Sequence, residues 1–167
     1  AGEGGQPRSS ASLAVQADVV AGVIDALHLG KPLLVGHSLG GAVSLATALR
    51  HPDKVSGLAL VAPLTHMPSK VSAAFAAFSI RQPWLRALVG WTLAVPLSIR
   101  KREQVMDIVF GPEAVPADFP IRGGGLLGLR PSHFIAASSD MNALESVMPL
   151  MQMRYDDLSL PIGVLYG

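Results

Sequence analysis

The chain of 167 residues contains no cysteine. Disulfide bonds, zinc–thiolate sites and cysteine nucleophiles are therefore excluded, and because the absence fits a reducing compartment we expect a cytoplasmic protein. Charge of one sign is not in excess either, since 13 Lys and Arg residues against 12 Asp and Glu residues give a net charge of +1. A protein that binds nucleic acid through the phosphates needs a basic surplus, and this balance argues against such a partner.

Hydrophobic runs long enough to cross a bilayer are also lacking. The longest apolar stretch, residues 87–97, contains Gly90, Thr92 and Pro96 and falls well short of the roughly 20 residues that a spanning helix needs. We expect a buried helix there, with a surface that touches lipid as the alternative. Residues 1–12 lack the apolar core of a signal peptide. Half of the residues are hydrophobic and 15% are charged, which excludes a disordered tail.

Residues 12–27 have the spacing of an amphipathic helix. Ser10 or Ser12 can cap its start, and Gly30 can close its end. The apolar residues of this segment recur at steps of three and four and form one stripe: Leu13, Ala17, Val20, Ile24 and Leu27. The stripe predicts that the helix packs against the core through one face.

Short apolar runs on either side of a second helical segment predict strands. Residues 33–35 predict a strand buried on both faces, as in parallel sheets. Residues 42–50 predict a helix, and residues 55–62 predict a second strand. Helix, strand, helix and strand at this spacing imply βαβ crossovers, so the predicted fold class is α/β with a parallel sheet.

A proline-rich region of helical segments follows the second strand, and it is too long for a simple crossover. Its predicted helical pieces are residues 70–78, 84–95, 100–109 and 141–153. The chain then returns to a third apolar strand at residues 162–166. We therefore predict a core at residues 1–62, a helical cap at residues 63–155 and a return to the core at residues 156–167.

The ends of the sequence bear on its completeness. The chain begins with Ala1 rather than Met, and it stops just after the third predicted strand. We take this as an indication of a piece of a larger protein. In such a piece the first strand is left bare at the sheet edge, so we expect the 167-residue chain alone to be poorly soluble or loosely packed.

Ser38 lies in the pattern G-x-S-x-G, after a predicted strand and before an Ala- and Leu-rich helix, as a nucleophile elbow requires. Such a turn strains the serine backbone and lifts the hydroxyl clear of the sheet. Glycine at positions 36 and 40 is expected to remove collisions there, and Gly41 to let the helix pack closer. The positive helix N-terminus favours developing negative charge, and the Leu39 N–H can donate to an oxyanion.

The run Gly36-His37-Ser38-Leu39-Gly40-Gly41, together with the order of the predicted elements, resembles the α/β-hydrolase family, in a form common in its esterases and lipases. The resemblance implies a partial α/β-hydrolase sheet with a helical cap. It also implies a Ser nucleophile followed along the chain by an Asp or Glu and then a His. Ser38 matches the nucleophile. The acid is then expected just past Gly167 with the His further on, and the loop with the second oxyanion donor is expected before Ala1.

The function that follows from this resemblance is a serine hydrolase. It would act on ester or similar acyl bonds of a small-to-medium hydrophobic substrate through an acyl-enzyme on Ser38. No cofactor, metal or nucleic acid is implied, and the oligomeric state is not indicated. Two alternatives stay open. The same scaffold can perform carbon–carbon hydrolysis, lactone opening, perhydrolysis or acyl transfer, or the chain can be a non-catalytic binding module that keeps the elbow.

Non-catalytic interpretations of the polar residues are open beside the catalytic ones. Ser38 can be a turn serine or a helix N-cap. His37 is adjacent to it, but we expect its side chain to point away and to serve packing or hydrogen bonding. His28 and His51 are expected to end helices, where a cation suits the dipole. His66 follows the second strand and is a candidate to face a pocket.

An internal acid–base pair is a further alternative, because Asp118 precedes His133 in the family order. Both residues lie in the proline-rich region. Asp156 and Asp157 are expected to form a solvated turn. A set of large apolar side chains can line an acyl pocket or, as we favour, form the cap's own core: Phe75, Phe78, Trp84, Trp91, Met106, Phe110, Phe134 and Met141.

Overall fold

The structure is a computed structural model that describes residues 12–67 and 78–166. Seven α-helices and three strands occur in this part of the chain. In chain order they are α1 (Leu13–Ala26), β1 (Leu33–His37), α2 (Leu39–Arg50), β2 (Gly57–Val61), α3 (Pro83–Thr92), α4 (Ala94–Arg100), α5 (Arg102–Phe110), α6 (Phe119–Arg122), α7 (Pro131–Gln152) and β3 (Ile162–Leu165). Short 3-10 turns occur at Pro52–Lys54, Gly125–Leu129 and Tyr155–Asp157.

The three strands form one parallel sheet in the order β1-β2-β3. This arrangement confirms the predicted α/β class. The central strand β2 is the most buried, with Leu58 and Leu60 each 2% exposed. The prediction that β1 is buried on both faces is wrong for this chain, because Leu33 is 58% exposed and Val35 72%. β1 lies at the sheet edge, and no described element covers the face that carries these two side chains.

Helix α1 begins as predicted at Ser12, whose Oγ accepts a hydrogen bond from the Val15 N–H at 3.3 Å. It does not end at Gly30. The left-handed residue that closes it is His28, with φ of +52°, and the next residue, Leu29, donates its N–H to the Ile24 carbonyl at 3.0 Å. This is the Schellman pattern of a helix C-terminus. The predicted stripe is also corrected, because the buried face consists of Leu13, Ala17, Ala21 and Ile24, and Leu27 is 62% exposed.

The far end of α2 is tied to α1 through Asp18. Arg50 donates from Nε and Nη2 to the Asp18 carboxylate at 3.1 and 3.0 Å, and His51 Nε2 lies 2.8 Å from Asp18 Oδ1. The hydrogen bond from His51, followed by that from Arg50, holds the pKa of Asp18 below its usual value. His51 does end the helix, as predicted, with its N–H bonded to the Thr47 carbonyl at 2.8 Å.

The chain divides into two compact units, and the division falls inside α7. Of the described residues, 12–67 and 143–166 form the unit that contains the sheet, and residues 78–142 form the helical unit. In the helical unit the segment predicted as one helix at 84–95 is two, because α3 ends at Thr92 and α4 starts at Ala94. Most of the predicted helix at 70–78 lies outside the described residues.

Helix α7 is ten residues longer at its start than the sequence pattern predicts. It begins with Pro131. Proline is well suited to the first helical position, where its missing N–H would have no intrahelical acceptor. The same physics explains Pro83 at the start of α3. The short helix α6 was not predicted.

The helical unit is held by a small aromatic and polar core. The rings of Phe78 and Phe134 lie 5.4 Å apart. Buried Arg86 donates from Nη2 to the Ile80 carbonyl at 3.0 Å. The prediction of an aromatic cap core is wrong for Trp84 and Trp91, which are 68% and 72% exposed. Phe75 lies outside the described residues.

The expectation of a buried helix at residues 87–97 is met only in part. Gly90 and Ala94 are buried, whereas Leu88, Leu93 and Leu97 are exposed. No helix in residues 12–67 and 78–166 has both the length and the hydropathy of a membrane-spanning segment.

Removing the side chain of Leu58 from the sheet centre should lower the free energy of unfolding. We expect Leu58→Ala to cost about 2–5 kcal/mol, because the side chain is 2% exposed and its loss leaves a cavity. Leu33→Ala is the matched control, since Leu33 also lies on a strand but is 58% exposed. Urea unfolding of both variants measures the difference. Equal costs at the two positions would contradict the burial described for the sheet.

Candidate active site

Ser38 occupies the sharp corner between β1 and α2, and its backbone is strained as predicted. Its φ is +52° and its ψ is −119°, a conformation that non-glycine residues rarely adopt. Its side chain is exposed. Ser12 offers a contrast within the same chain, because at φ −67° and ψ 144° its hydroxyl caps α1. Ser38 occupies the N-cap position of α2 but makes no side-chain cap bond, so its hydroxyl does not cap the helix.

Three backbone hydrogen bonds fix the Ser38 peptide groups. The Ser38 N–H donates to the Val61 carbonyl of β2 at 3.1 Å. The Ser38 carbonyl accepts from the N–H of Gly41 at 2.9 Å and from the N–H of Leu64 at 2.9 Å. Strained backbone persists only where its surroundings determine it, and here the neighbouring strand, the first turn of α2 and the segment after β2 all take part.

The glycines of the motif do not all have the predicted role. A Cβ on Gly36 would lie 2.6 Å from the Gly40 carbonyl oxygen and 2.7 Å from Ser44 Oγ. A Cβ on Gly41 would lie 2.6 Å from Pro63 Cβ. The collision expected at Gly40 is not found, because a Cβ there would meet no atom within 4 Å. Glycine is therefore needed at position 36, where β1 meets the first turns of α2, and at position 41, where α2 meets the segment after β2.

The chemistry around the hydroxyl comes from the start of α2. Leu39 is the first residue of this 12-residue helix, and the first N–H groups of a helix have no intrahelical acceptor. Its N–H as an oxyanion donor stays a prediction. His37 is exposed on the last position of β1, and no hydrogen bond joins its side chain to Ser38 in the described part of the chain.

The remaining candidates are spread over the two units. In the sheet unit, His66 lines an open cleft of about 620 Å³, and its Nδ1 lies 2.8 Å from Thr65 Oγ1. In the helical unit, Asp118 accepts a 3.5 Å bond from Arg122. His133 lies in the first turn of α7, and the Asp118–His133 pair stays a prediction.

Asp156 and Asp157 form the exposed turn that was predicted. Asp157 accepts a hydrogen bond from Arg154 Nε at 3.0 Å. Across residues 12–67 and 78–166, His, Asp and Glu side chains form no cluster of three or more that could hold a metal ion.

Sequence reasoning missed the segment that follows β2. Pro63 meets Gly41, and Leu64 meets the Ser38 carbonyl. Ala62 has a φ of +40° and donates its N–H to the Leu165 carbonyl at 2.7 Å. The signal in the sequence was Pro63, directly after the predicted strand at residues 55–62. It marks a turn but does not tell what the turn contacts.

Substituting the motif glycines one at a time should separate the crowded positions from the open one. Gly36→Ala and Gly41→Ala should each lower the free energy of unfolding by about 2 kcal/mol or more, because the added methyl strikes backbone or a proline ring. Gly40→Ala should be neutral or stabilise by up to about 1 kcal/mol, since it replaces glycine within a helix. Chemical denaturation of the three variants tests this order. A Gly40→Ala variant as damaged as the other two would contradict the geometry.

Comparison with known proteins places this corner in a wider context. A family model described as the alpha/beta hydrolase fold matches residues 2–94, more than half of the chain. The 2-hydroxymuconate semialdehyde hydrolase of Pseudomonas sp. (strain CF600) is 47% identical over 47 residues, which make up 28% of this chain and 17% of that enzyme.

Two solved structures share the fold at low sequence identity. An epoxide hydrolase, CorEH, matches with a TM-score of 0.73 and 16% identity over 99% of this chain and 62% of its own. A variant of the haloalkane dehalogenase DatA from Agrobacterium tumefaciens matches with a TM-score of 0.65 and 22% identity over 95% of this chain and 57% of its own. The chain thus spans about three fifths of the length of these structures. With the family model, the parallel sheet and the strained serine corner in agreement, the chain belongs to the α/β-hydrolase family.

Proposed function

We propose that this chain carries the nucleophile of a serine hydrolase and that Ser38 is that nucleophile. The observation that carries the proposal is the backbone of Ser38, with φ of +52° and an exposed side chain at the first turn of α2. A serine held for capping or packing needs neither the strain nor the exposure. Strain of this kind is concentrated at reactive positions.

The proposed reaction proceeds through an acyl-enzyme. Ser38 Oγ attacks the acyl carbonyl carbon while its proton passes to a histidine base, and the carbonyl oxygen becomes an oxyanion. The Leu39 N–H and the positive end of α2 stabilise that charge. The oxyanion then collapses, the leaving group takes the proton from the histidine, and Ser38 is left as an ester. Water, deprotonated by the same base, hydrolyses this ester and restores the hydroxyl.

An aspartate or glutamate would orient the histidine, as in other serine hydrolases. Loss of one oxyanion donor in such a site slows catalysis by about a hundredfold to a thousandfold. The Leu39 amide would therefore be a large part of the proposed rate enhancement. Substitution of its side chain leaves this donor in place, because the N–H belongs to the backbone.

For the substrate, we propose a small-to-medium hydrophobic acyl compound with an ester or similar bond. Large apolar side chains are exposed on the helical unit, and Trp84, Leu88 and Trp91 stand out on α3. They recur at steps of four and three, so they share one helix face. An exposed apolar helix face of this kind favours contact with a hydrophobic molecule.

A second candidate is hydrolysis of a carbon–carbon bond on the same scaffold. It is favoured by the 47% identity, over 47 residues, to an enzyme named as a 2-hydroxymuconate semialdehyde hydrolase. Related folds carry different chemistries, so the bond that is cleaved has to be determined from products.

A substrate panel should separate the two candidates. We expect the full-length protein to hydrolyse p-nitrophenyl esters with medium apolar acyl groups at a higher kcat/KM than acetate, because an apolar chain gains binding from buried surface. A 2-hydroxymuconate semialdehyde is tested beside them, with the products identified by mass spectrometry. A preference for short, charged acids would contradict the proposed ester substrate, and turnover of the semialdehyde alone would favour the second candidate.

Ser38→Ala should abolish both ester turnover and labelling by a fluorophosphonate probe, because the variant has no hydroxyl to attack phosphorus or carbonyl carbon. Ser146→Ala is the control, since Ser146 is exposed on α7 with an ordinary bond from Oγ to the Ala143 carbonyl at 3.2 Å. Mass spectrometry of the labelled protein locates the adduct. Undiminished labelling of the Ser38→Ala variant would overturn the assignment of the nucleophile.

A further inference from the structure

The carbonyl of Thr65, in the segment after β2, is held by side chains from the end of α7 and the turn that follows it. Tyr155 donates its hydroxyl hydrogen to the Thr65 carbonyl oxygen at 2.6 Å. Gln152 Nε2 donates to the same oxygen at 3.4 Å. The Tyr155 bond is short and well within the range of a strong O–H···O hydrogen bond, whereas the Gln152 bond is long. Tyr155 is therefore the main side chain that fixes this carbonyl.

The carbonyl of Pro63, two residues upstream, is held in the same manner but more weakly. The Tyr166 hydroxyl, just past β3, donates to the Pro63 carbonyl oxygen at 3.3 Å. Tyr166 is 61% exposed, whereas Tyr155 is half-buried. The two tyrosines thus bind the carbonyls on either side of Leu64.

Leu64 is the residue through which this segment reaches the elbow. Its N–H donates to the Ser38 carbonyl at 2.9 Å. A carbonyl that is fixed at Thr65 restricts the peptide planes on both sides of it, because each residue has only two soft backbone torsions. The hydroxyl of Tyr155 therefore limits how far the Leu64 amide can move from Ser38.

We propose that Tyr155 is a positioning residue for Ser38, and that its hydroxyl holds residues 63–65 so that the Leu64 amide keeps the elbow in its strained conformation. Tyr155 acts through this segment, since its hydroxyl is bonded to the Thr65 carbonyl. The structural part of the proposal stands on the hydrogen bonds alone. Its consequence for reactivity rests on the proposed function of Ser38.

The chemistry of Tyr155 suits this role. Burial, with a smaller contribution from Tyr166, raises the pKa of Tyr155 to about 12. The phenol therefore stays protonated, and able to donate, throughout the neutral and mildly alkaline range. A phenylalanine at this position keeps the ring and removes only the donor.

The test compares three single substitutions in the full-length protein. Tyr155→Phe removes the 2.6 Å bond, and Tyr166→Phe removes the weaker 3.3 Å bond. Thr92→Val is the matched control, because the Thr92 hydroxyl also donates to a carbonyl at 2.6 Å, that of Leu88, but within α3 of the helical unit. Since Tyr166 is exposed, its variant remains informative if Tyr155→Phe does not fold.

Two measurements are made on each variant at a temperature where it is folded. Hydrogen exchange of peptides that cover residues 62–66 reports whether the Leu64 amide stays protected. Fluorophosphonate labelling is followed at several probe concentrations, which separates the labelling rate at saturation from the apparent binding constant of the probe. The rate at saturation reports the reactivity of Ser38. A purely structural role would lower the melting temperature and leave the saturating rate unchanged.

We expect Tyr155→Phe to speed exchange in this segment and to slow the saturating labelling rate about three- to tenfold, with the binding constant of the probe unchanged. Tyr166→Phe should have a smaller effect in the same direction, and Thr92→Val none. Unchanged exchange in both tyrosine variants, or faster exchange with an unchanged labelling rate, would overturn the proposal. If the unsubstituted protein does not label, the proposed function fails, and the positioning role is then decided by exchange alone.

Discussion

The strained backbone of Ser38 is the constraint on which the rest of the site depends. An L-residue at φ of +52° and ψ of −119° is unfavourable by about 1–3 kcal/mol, and it is retained because its N–H and carbonyl are both bonded to neighbours. The strand β2, the start of α2 and the segment after β2 each provide one bond. The hydroxyl can then be exposed while the N–H and the carbonyl of Ser38 are both hydrogen-bonded.

Parallel pairing explains why these contacts occur at one place. β1, β2 and β3 run in the same direction, so their carboxyl ends meet at one edge of the sheet. Ser38 follows β1, the segment with Leu64 follows β2, and Tyr166 follows β3. Residues more than 100 positions apart in the sequence thereby become neighbours. This edge is where ligands bind in open α/β sheets generally.

The sequence predicted the features that depend on local patterns. The serine corner, the parallel class and the capping by Ser12 follow from short motifs and from periodicity, and the structure agrees. The pattern G-x-S-x-G marked Gly36 correctly but gave Gly40 a collision that belongs to Gly41, because the crowding there comes from Pro63, which lies 22 residues further on.

Other features depend on contacts that no local pattern contains. The exposure of Val35 arises because no described element covers that face of β1, and an apolar run cannot reveal which faces of a strand are covered. Pro131 shows that the residue type alone does not decide either, because proline breaks a helix in its interior and favours one at its start. The bond from Tyr155 to Thr65 joins residues 90 positions apart, and neither residue belongs to a recognisable motif.

Helix α2 is held at both ends, and the two ends do different things. The first turn touches the elbow, and the last turn is tied to α1 through the carboxylate of Asp18. Twelve residues of helix extend about 18 Å, so a small sideways displacement at Arg50 tilts the whole axis about the elbow. The direction in which the first amides of α2 point therefore depends in part on how the Arg50 end of the helix is held. The exposed contact between Arg50 and Asp18 takes no part in the proposed reaction, but through α2 it bears on the orientation of the helix dipole at Ser38.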